Sequence, residues 1–214
     1  MARNKHPEKT IEFILETSKK LFLTVGYENT TIQDILNHLE GLSKGAIYHH
    51  FKSKEAIFEA LSMKEAQKNS EIFLKIKNDK NMNGAQKLKE IIKFNISSEN
   101  TKNIIKLCPN FLENPKFLSD QFKQMNEIIV PNFIYPIIEE GIKDGSITTD
   151  KPHELSESIM LFINIWINPL IYNDSIEKIS NKLEMINGFL QKYNLVLFDE
   201  QMKTDLLKLK KSNL

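Results

Sequence analysis

Residues 30–58 read TTIQDILNHLEGLSKGAIYHHFKSKEAIF, and side-chain chemistry alone places three helix starts in that stretch. Thr30 with Gln33 fits a capping box, in which a hydroxyl accepts from the third helical N–H and the amide reaches back. Ile32, Ile35, Leu36 and Leu39 follow at three- and four-residue steps, one face of a short helix. Gly41 breaks it. Ser43 caps a second, very short helix from Lys44 to His50, Phe51-Lys52 is its exit, and Ser53 caps a longer helix carrying Ile57, Ala60 and Leu61.

Upstream, Pro7 suits the first position of a helix, where its missing N–H costs nothing. Ile11, Ile14, Leu15, Ser18, Leu21, Phe22 and Val25 continue on one face, and Gly26 stops it. Downstream, NDKNMNG at 78–84 is polar and turn-rich, and marks a break. Helical periods recur over about 85–98, 103–113, 116–144, 153–172, 175–194 and 199–211. Pro131 and Pro136 fall inside the long segment and predict a kink or a split there. The fold class expected is all-α: a three-helix, helix-turn-helix head over residues 1–54 and a larger helical bundle body over 55–214.

The 214 residues carry 41% hydrophobic and 27% charged side chains, ordinary for a soluble globular chain. The single cysteine, Cys108, excludes an intramolecular disulfide framework and a cysteine-based zinc site. The polar start MARNKHPEKT is no signal peptide. The most apolar run, Ile159–Tyr172, is interrupted by Asn164, Asn168 and Pro169 and too short to span a membrane. A cytoplasmic, reduced protein is expected, without membrane contact. There is no Gly-rich phosphate loop, G-x-S-x-G, HExxH or carboxylate–His cluster at metal spacing. We therefore expect no enzyme, metal or cofactor.

The net charge is +1, but residues 1–54 hold eight Lys/Arg against six Asp/Glu, and no acid occurs from Gly41 to Lys54, where Lys44, Lys52, Lys54, His49 and His50 all fall. A phosphate-facing surface needs such a local window, not a basic protein overall. Two short helices joined by a Gly-containing turn form a helix-turn-helix, whose second member presents its first residues to base edges in the major groove of double-stranded DNA. SKGAIYHHF is suited to that task. Gly45 and Ala46 permit close approach, Lys44, Tyr48 and His49 can reach DNA, and Ile47 and Phe51 face inward. Adjacent His49 and His50 point to different faces and are no metal pair. The only arginine is Arg3, so bidentate Arg–guanine contacts are closed to the recognition helix. Lys44, contact of Ala46 with thymine methyls, and DNA shape carry the readout. Arg3 and Lys5 form either a minor-groove arm or a solubilising tail.

This stretch resembles the signature of TetR-like (TetR/AcrR) transcriptional regulators: a Thr pair opening helix two, a Gly turn, a short recognition helix ending in Tyr-x-x-Phe, then Lys-x-Lys-Glu opening helix four. The resemblance covers roughly residues 8–61. Leu39-Glu40-Gly41-Leu42 is one residue longer than the family's common turn, an insertion near Glu40. The resemblance implies that Thr31 contacts phosphate and that Ser43, Lys44, Gly45 and Ala46 sit at the groove. Tyr48 and His49 would touch backbone or base edges, His50 the backbone, and Lys54 would grip a phosphate at the start of helix four.

Ile176, Ile179, Leu183, Ile186, Leu190 and Tyr193 step 3, 4, 3, 4, 3, an a/d seam that pairs helices. With Ile163 and Ile167 of the apolar run before it, the seam predicts a four-helix homodimer interface, which matches a palindromic operator. By the resemblance, the body would also hold a pocket for an apolar or aromatic effector. Candidates are Phe94, Leu107, Cys108, Phe111, Met125, Phe133, Tyr135, Phe162 and Trp166. Asn164 and Asn168, four apart on an apolar helix, must meet a ligand, the partner chain or backbone. The function implied is a repressor released by a small molecule, with activation as the alternative.

Overall fold

The computed structural model describes residues 7–39, 41–98, 101–103 and 115–211. Glu40, Leu107, Cys108, Phe111, Arg3 and Lys5, and most of the helix expected over 103–113, lie outside the described residues. Those described contain helices and connecting turns but no strand.

The helices are α1 (Pro7–Thr24), α2 (Ile32–Asn37), α3 (Lys44–His50), α4 (Lys54–Lys77), α5 (Gly84–Ser97), α6 (Pro115–Gln124), a π-helical stretch (Met125–Ile134), α7 (Tyr135–Asp144), α8 (Pro152–Leu161), a second π-helical stretch (Phe162–Trp166), α9 (Ile176–Gln191) and α10 (Glu200–Lys211). They divide into two compact units, the first running through Lys68 and so taking in the early turns of α4, the second holding the rest of α4 from Asn69 with α5 to α10.

In the first unit, Ile14, Leu15, Leu21 and Phe22 of α1 are buried with Ile35, Leu39, Ile47, Phe51, Ile57, Phe58 and Leu61. Gly26 ends α1 at φ +95°, a left-handed conformation that glycine adopts without penalty. Along α1 and α4, Lys64 bridges Glu12 and Glu16 at 2.9 and 3.1 Å, and Lys19 meets Glu65 at 2.8 Å. Burial works to raise the Glu65 carboxyl, but the hydrogen bond and charge of Lys19, with Lys68 behind, outweigh it and hold the group below its ordinary value.

In the second unit α5 crosses α7 at a pair of glycines. A Cβ on Gly84 would stand 2.3 Å from the Gly141 backbone, so these helices touch main chain to main chain. The N-terminus of α5 is closed by several acceptors: Asn83 and Gln86 form a capping box, Gly84 N–H donates to Asp144 at 2.8 Å, and Ala85 N–H to Ser146 Oγ at 3.1 Å. Lys87, almost fully buried, reaches Glu140 at 2.6 Å.

Pro131 and Pro136 neither break nor split the long segment. From Met125 to Ile134 the helix instead widens to i→i+5 bonding, as in Tyr135 N–H to Val130 O. The wider turn relieves the clash of a proline ring with the preceding turn. Pro136 also removes the donor that α-spacing would give the Asn132 carbonyl, and Lys77 Nζ supplies one at 2.8 Å. Phe73 wedges nearby, edge-on to Phe94 and Phe133. The apolar run likewise ends in i→i+5 bonding, Ile167 N–H to Phe162 O. The turn that follows is tied to α9 by buried Lys182, which meets Asp174 at 2.5 Å and donates to the Trp166 carbonyl at 2.6 Å. Among the described residues, no helix is long and apolar enough to cross a membrane.

Candidate nucleic-acid interface

Ser43 caps α3, its Oγ accepting from Ala46 N–H at 3.2 Å. With 3.6 residues per turn, capping at that point sends Ile47 inward, where it is fully buried, and Phe51 after it. Lys44, Gly45, Tyr48 and His49 are exposed, while Ala46 and His50 are half-buried. The Lys44 ammonium lies 5.9 Å over the Tyr48 ring, and the His49 and His50 rings meet edge to face at 4.9 Å. A Cβ at Gly45 would meet only Ser43 Oγ, at an ordinary 3.8 Å. The fold itself therefore tolerates a side chain there, and the bare backbone remains open to a close-packed partner. The row Ser43, Lys44, Gly45, Tyr48, His49 presents donors and two rings to solvent on one short helix.

Two side chains expected at DNA are engaged in hydrogen bonds within the chain. The N-cap of α2 is Thr31, not Thr30, and its box partner is Asp34, not Gln33. Thr31 Oγ1 accepts from Asp34 N–H at 3.1 Å and donates to the Asp34 carboxylate at 2.6 Å. The hydroxyl proton that a phosphate would take is thus engaged, beside a carboxylate that the Thr31 hydrogen bonds hold below its usual range. Thr30 is buried and donates to the Gly26 carbonyl. The Lys54 ammonium donates to the Tyr27 carbonyl at 2.8 Å and lies 4.3 Å over the Tyr27 ring. Lys52, exposed at the exit of α3, pairs with no described residue. It stands in the acid-free window of the sequence.

Of the described body candidates, Met125 and Phe133 belong to the buried core of the second unit, and Phe94, Phe162 and Trp166 pack against it. Phe94 and Phe133 both touch Phe73, Phe162 touches Trp166 and Phe189, and Tyr135 stacks on His153 at 3.9 Å while donating to Glu139. Met125 is core. Asn164 and Asn168 resolve to backbone, donating to the Met160 and Asn164 carbonyls. The expected dimer seam lies largely inside the single chain. Ile163, Ile167, Ile179, Leu183, Ile186 and Leu190 are 1–8% exposed in the single chain, consumed by its own core. Tyr193 is half-buried, and only Ile176 of that seam is open. The apolar side chains left exposed lie one step round, at Leu161, Met185 and Phe189, with Phe162 stacked on Phe189.

The model of a family described as bacterial regulatory proteins, tetR family, matches residues 14–61, the span that holds this helix-turn-helix. The chain is 23% identical over 193 residues to the HTH-type transcriptional repressor AcnR of Corynebacterium glutamicum, covering 90% of this chain and 98% of that one. It is 29% identical over 185 residues to the HTH-type transcriptional regulator YhgD of Bacillus subtilis, covering 85% and 93%. The crystal structure of a TetR-family transcriptional regulator from Pectobacterium atrosepticum superposes with a TM-score of 0.65 at 18% identity, over 90% of this chain and 97% of that one. With a capped recognition helix held by Ile47 and Phe51, residues 14–61 match the model of the bacterial regulatory proteins, tetR family, and the chain is similar along nearly their whole length to helix-turn-helix transcriptional regulators.

Proposed function

We propose that the chain works as a homodimeric repressor that reads a palindromic operator through α3 and leaves it when the body takes up an apolar or aromatic small molecule. The observation that carries the reading is the exposed row of Lys44, Tyr48 and His49 on a helix fixed from behind by Ile47. Lys44 offers the one strong guanine donor in α3, Tyr48 a hydroxyl and a ring, and Gly45 a bare backbone for close approach. Pairing would bring two such helices to half-sites about 34–36 Å apart. Leu161, Phe162, Met185 and Phe189 supply the unpartnered apolar surface for that pairing.

Release follows if the effector binds one separation of the heads better than another. Phe94 and Phe133 around Phe73, and Phe162 with Trp166, are the aromatic groups from which the body would contact the effector. The test is fluorescence anisotropy with DNA from upstream of the chain's own gene, across a salt series. Binding should be sequence-selective and salt-steep, and Lys44→Ala and Tyr48→Ala should each weaken it about tenfold or more. Equal affinity of wild type and both variants, or no selectivity even for duplexes selected from a random library, would reject the reading.

A further inference from the structure

We infer that Lys54 is a positioning residue of the head, and that the phosphate contact at the corner between α3 and α4 falls to Lys52. This rests on the reading of the head as a DNA-binding surface. Lys54 begins α4, four residues after α3 ends at His50. Its ammonium reaches back to the turn between α1 and α2, donating to the carbonyls of Tyr27 at 2.8 Å and Glu28 at 3.4 Å.

The turn it grips is the entry to α2. The Tyr27 carbonyl also accepts from Thr30 N–H at 3.3 Å, and Thr30 Oγ1 closes on the Gly26 carbonyl at 2.7 Å, directly before the Thr31 cap. The Tyr27 ring fixes the same corner, packing on Phe22 and Phe58 at 5.1 and 5.2 Å, with its hydroxyl donating to Glu55 at 3.3 Å. One side chain thus ties the entry of α2 to the exit of α3 and closes the helix-turn-helix into a ring. A lysine holding two carbonyls and lying over an aromatic face has its charge directed into the protein. Lys52 is exposed two residues earlier, with no described partner to give up, and is the cation at that corner able to displace condensed counterions.

The two roles separate in salt dependence. The probe is a duplex selected by the wild-type chain from a random-sequence library, titrated over a KCl series with wild type, Lys52→Gln, Lys54→Gln and Lys54→Met. Melting temperatures are taken without DNA. Lys52→Gln should flatten the slope of log K against log salt by about 0.9 for each bound copy and leave melting unchanged. Lys54→Met should keep the wild-type slope, lose about tenfold in affinity and melt lower without DNA. Lys54→Gln, whose amide can still donate to one carbonyl, should fall between. If Lys54→Met is too unstable to bind, its low melting temperature is the expected result of lost positioning. A slope flattened by the Lys54 variants with unchanged melting would overturn the inference, as would an unchanged slope for Lys52→Gln. A wild-type chain with no salt-dependent affinity for any duplex would instead reject the DNA-binding reading beneath it.

Discussion

Ser18 sits at the centre of α1, fully buried, and its hydroxyl has no hydrogen-bond partner among the described residues. Leaving such a group dry costs more than removing it, because the folded state loses the water that served it when unfolded. Ser18→Ala should therefore raise stability by about 1 kcal/mol, seen as a higher denaturant midpoint with an unchanged slope; a fall of that size would show the hydroxyl to be satisfied. Lys54 shows the other side of residue-scale chemistry. Motif spacing gives a lysine at the start of α4, but its carbonyl partners lie 26 and 27 residues away, so no local pattern reveals which way the ammonium turns. Thr30 with Gln33 and Thr31 with Asp34 have the same three-residue spacing, one register apart, and only backbone angles resolve which is the cap.

At the scale of elements, short-range signals placed the helices well. Ser43 and Ser53 accept from the N–H groups of Ala46 and Ala56, Pro7 opens α1, and Asn78 to Asn83 separate α4 from α5. Each of these signals acts within one helical turn, which is why the sequence carries them. The widened turns at Met125–Ile134 and Phe162–Trp166 leave no signature in the sequence, since a proline announces a disturbance but not the form its relief takes. Close helix packing is equally silent in sequence. Gly84 opens α5 and looks like a turn glycine, yet its lack of a Cβ is what allows contact with Gly141. Gly84→Ala would drive a methyl into the Gly141 backbone and the Ile137 carbonyl, and should cost about 3 kcal/mol; thermal melting that shifts by less than a few degrees would disprove that account.

For the whole molecule, the outward face of α9 matters most. Ile186 and Phe189 are neighbours on that helix, one 1% and the other 51% exposed. Ile186→Ala should empty core volume and destabilise each chain by about 2–5 kcal/mol. Phe189→Glu leaves the core intact and should leave the fold while dissociating the dimer, because a charge on a face that would bury about 800 Å² per partner is uncompensated. Sedimentation or light scattering separates the outcomes: a Phe189→Glu chain that remains a dimer would place the interface elsewhere.

The sequence by itself determined that the chain is helical, where most helices begin and end, and that residues 30–58 form a helix-turn-helix with Lys44, Tyr48 and His49 outward and Ile47 inward. Those features follow from caps, prolines, glycines and a 3.6-residue period, interactions spanning four residues or fewer. Tertiary structure decided which apolar stripe of α9 its own core would claim. The a/d spacing is the same whether a helix pairs with a second chain or with its own bundle, and in the single chain Ile179, Leu183, Ile186 and Leu190 are buried in its own core. It likewise decided the partners of Lys54 and Thr31, because a charge or hydroxyl goes to whichever acceptor the fold brings within 3 Å, and distant residues supply that acceptor as readily as near ones.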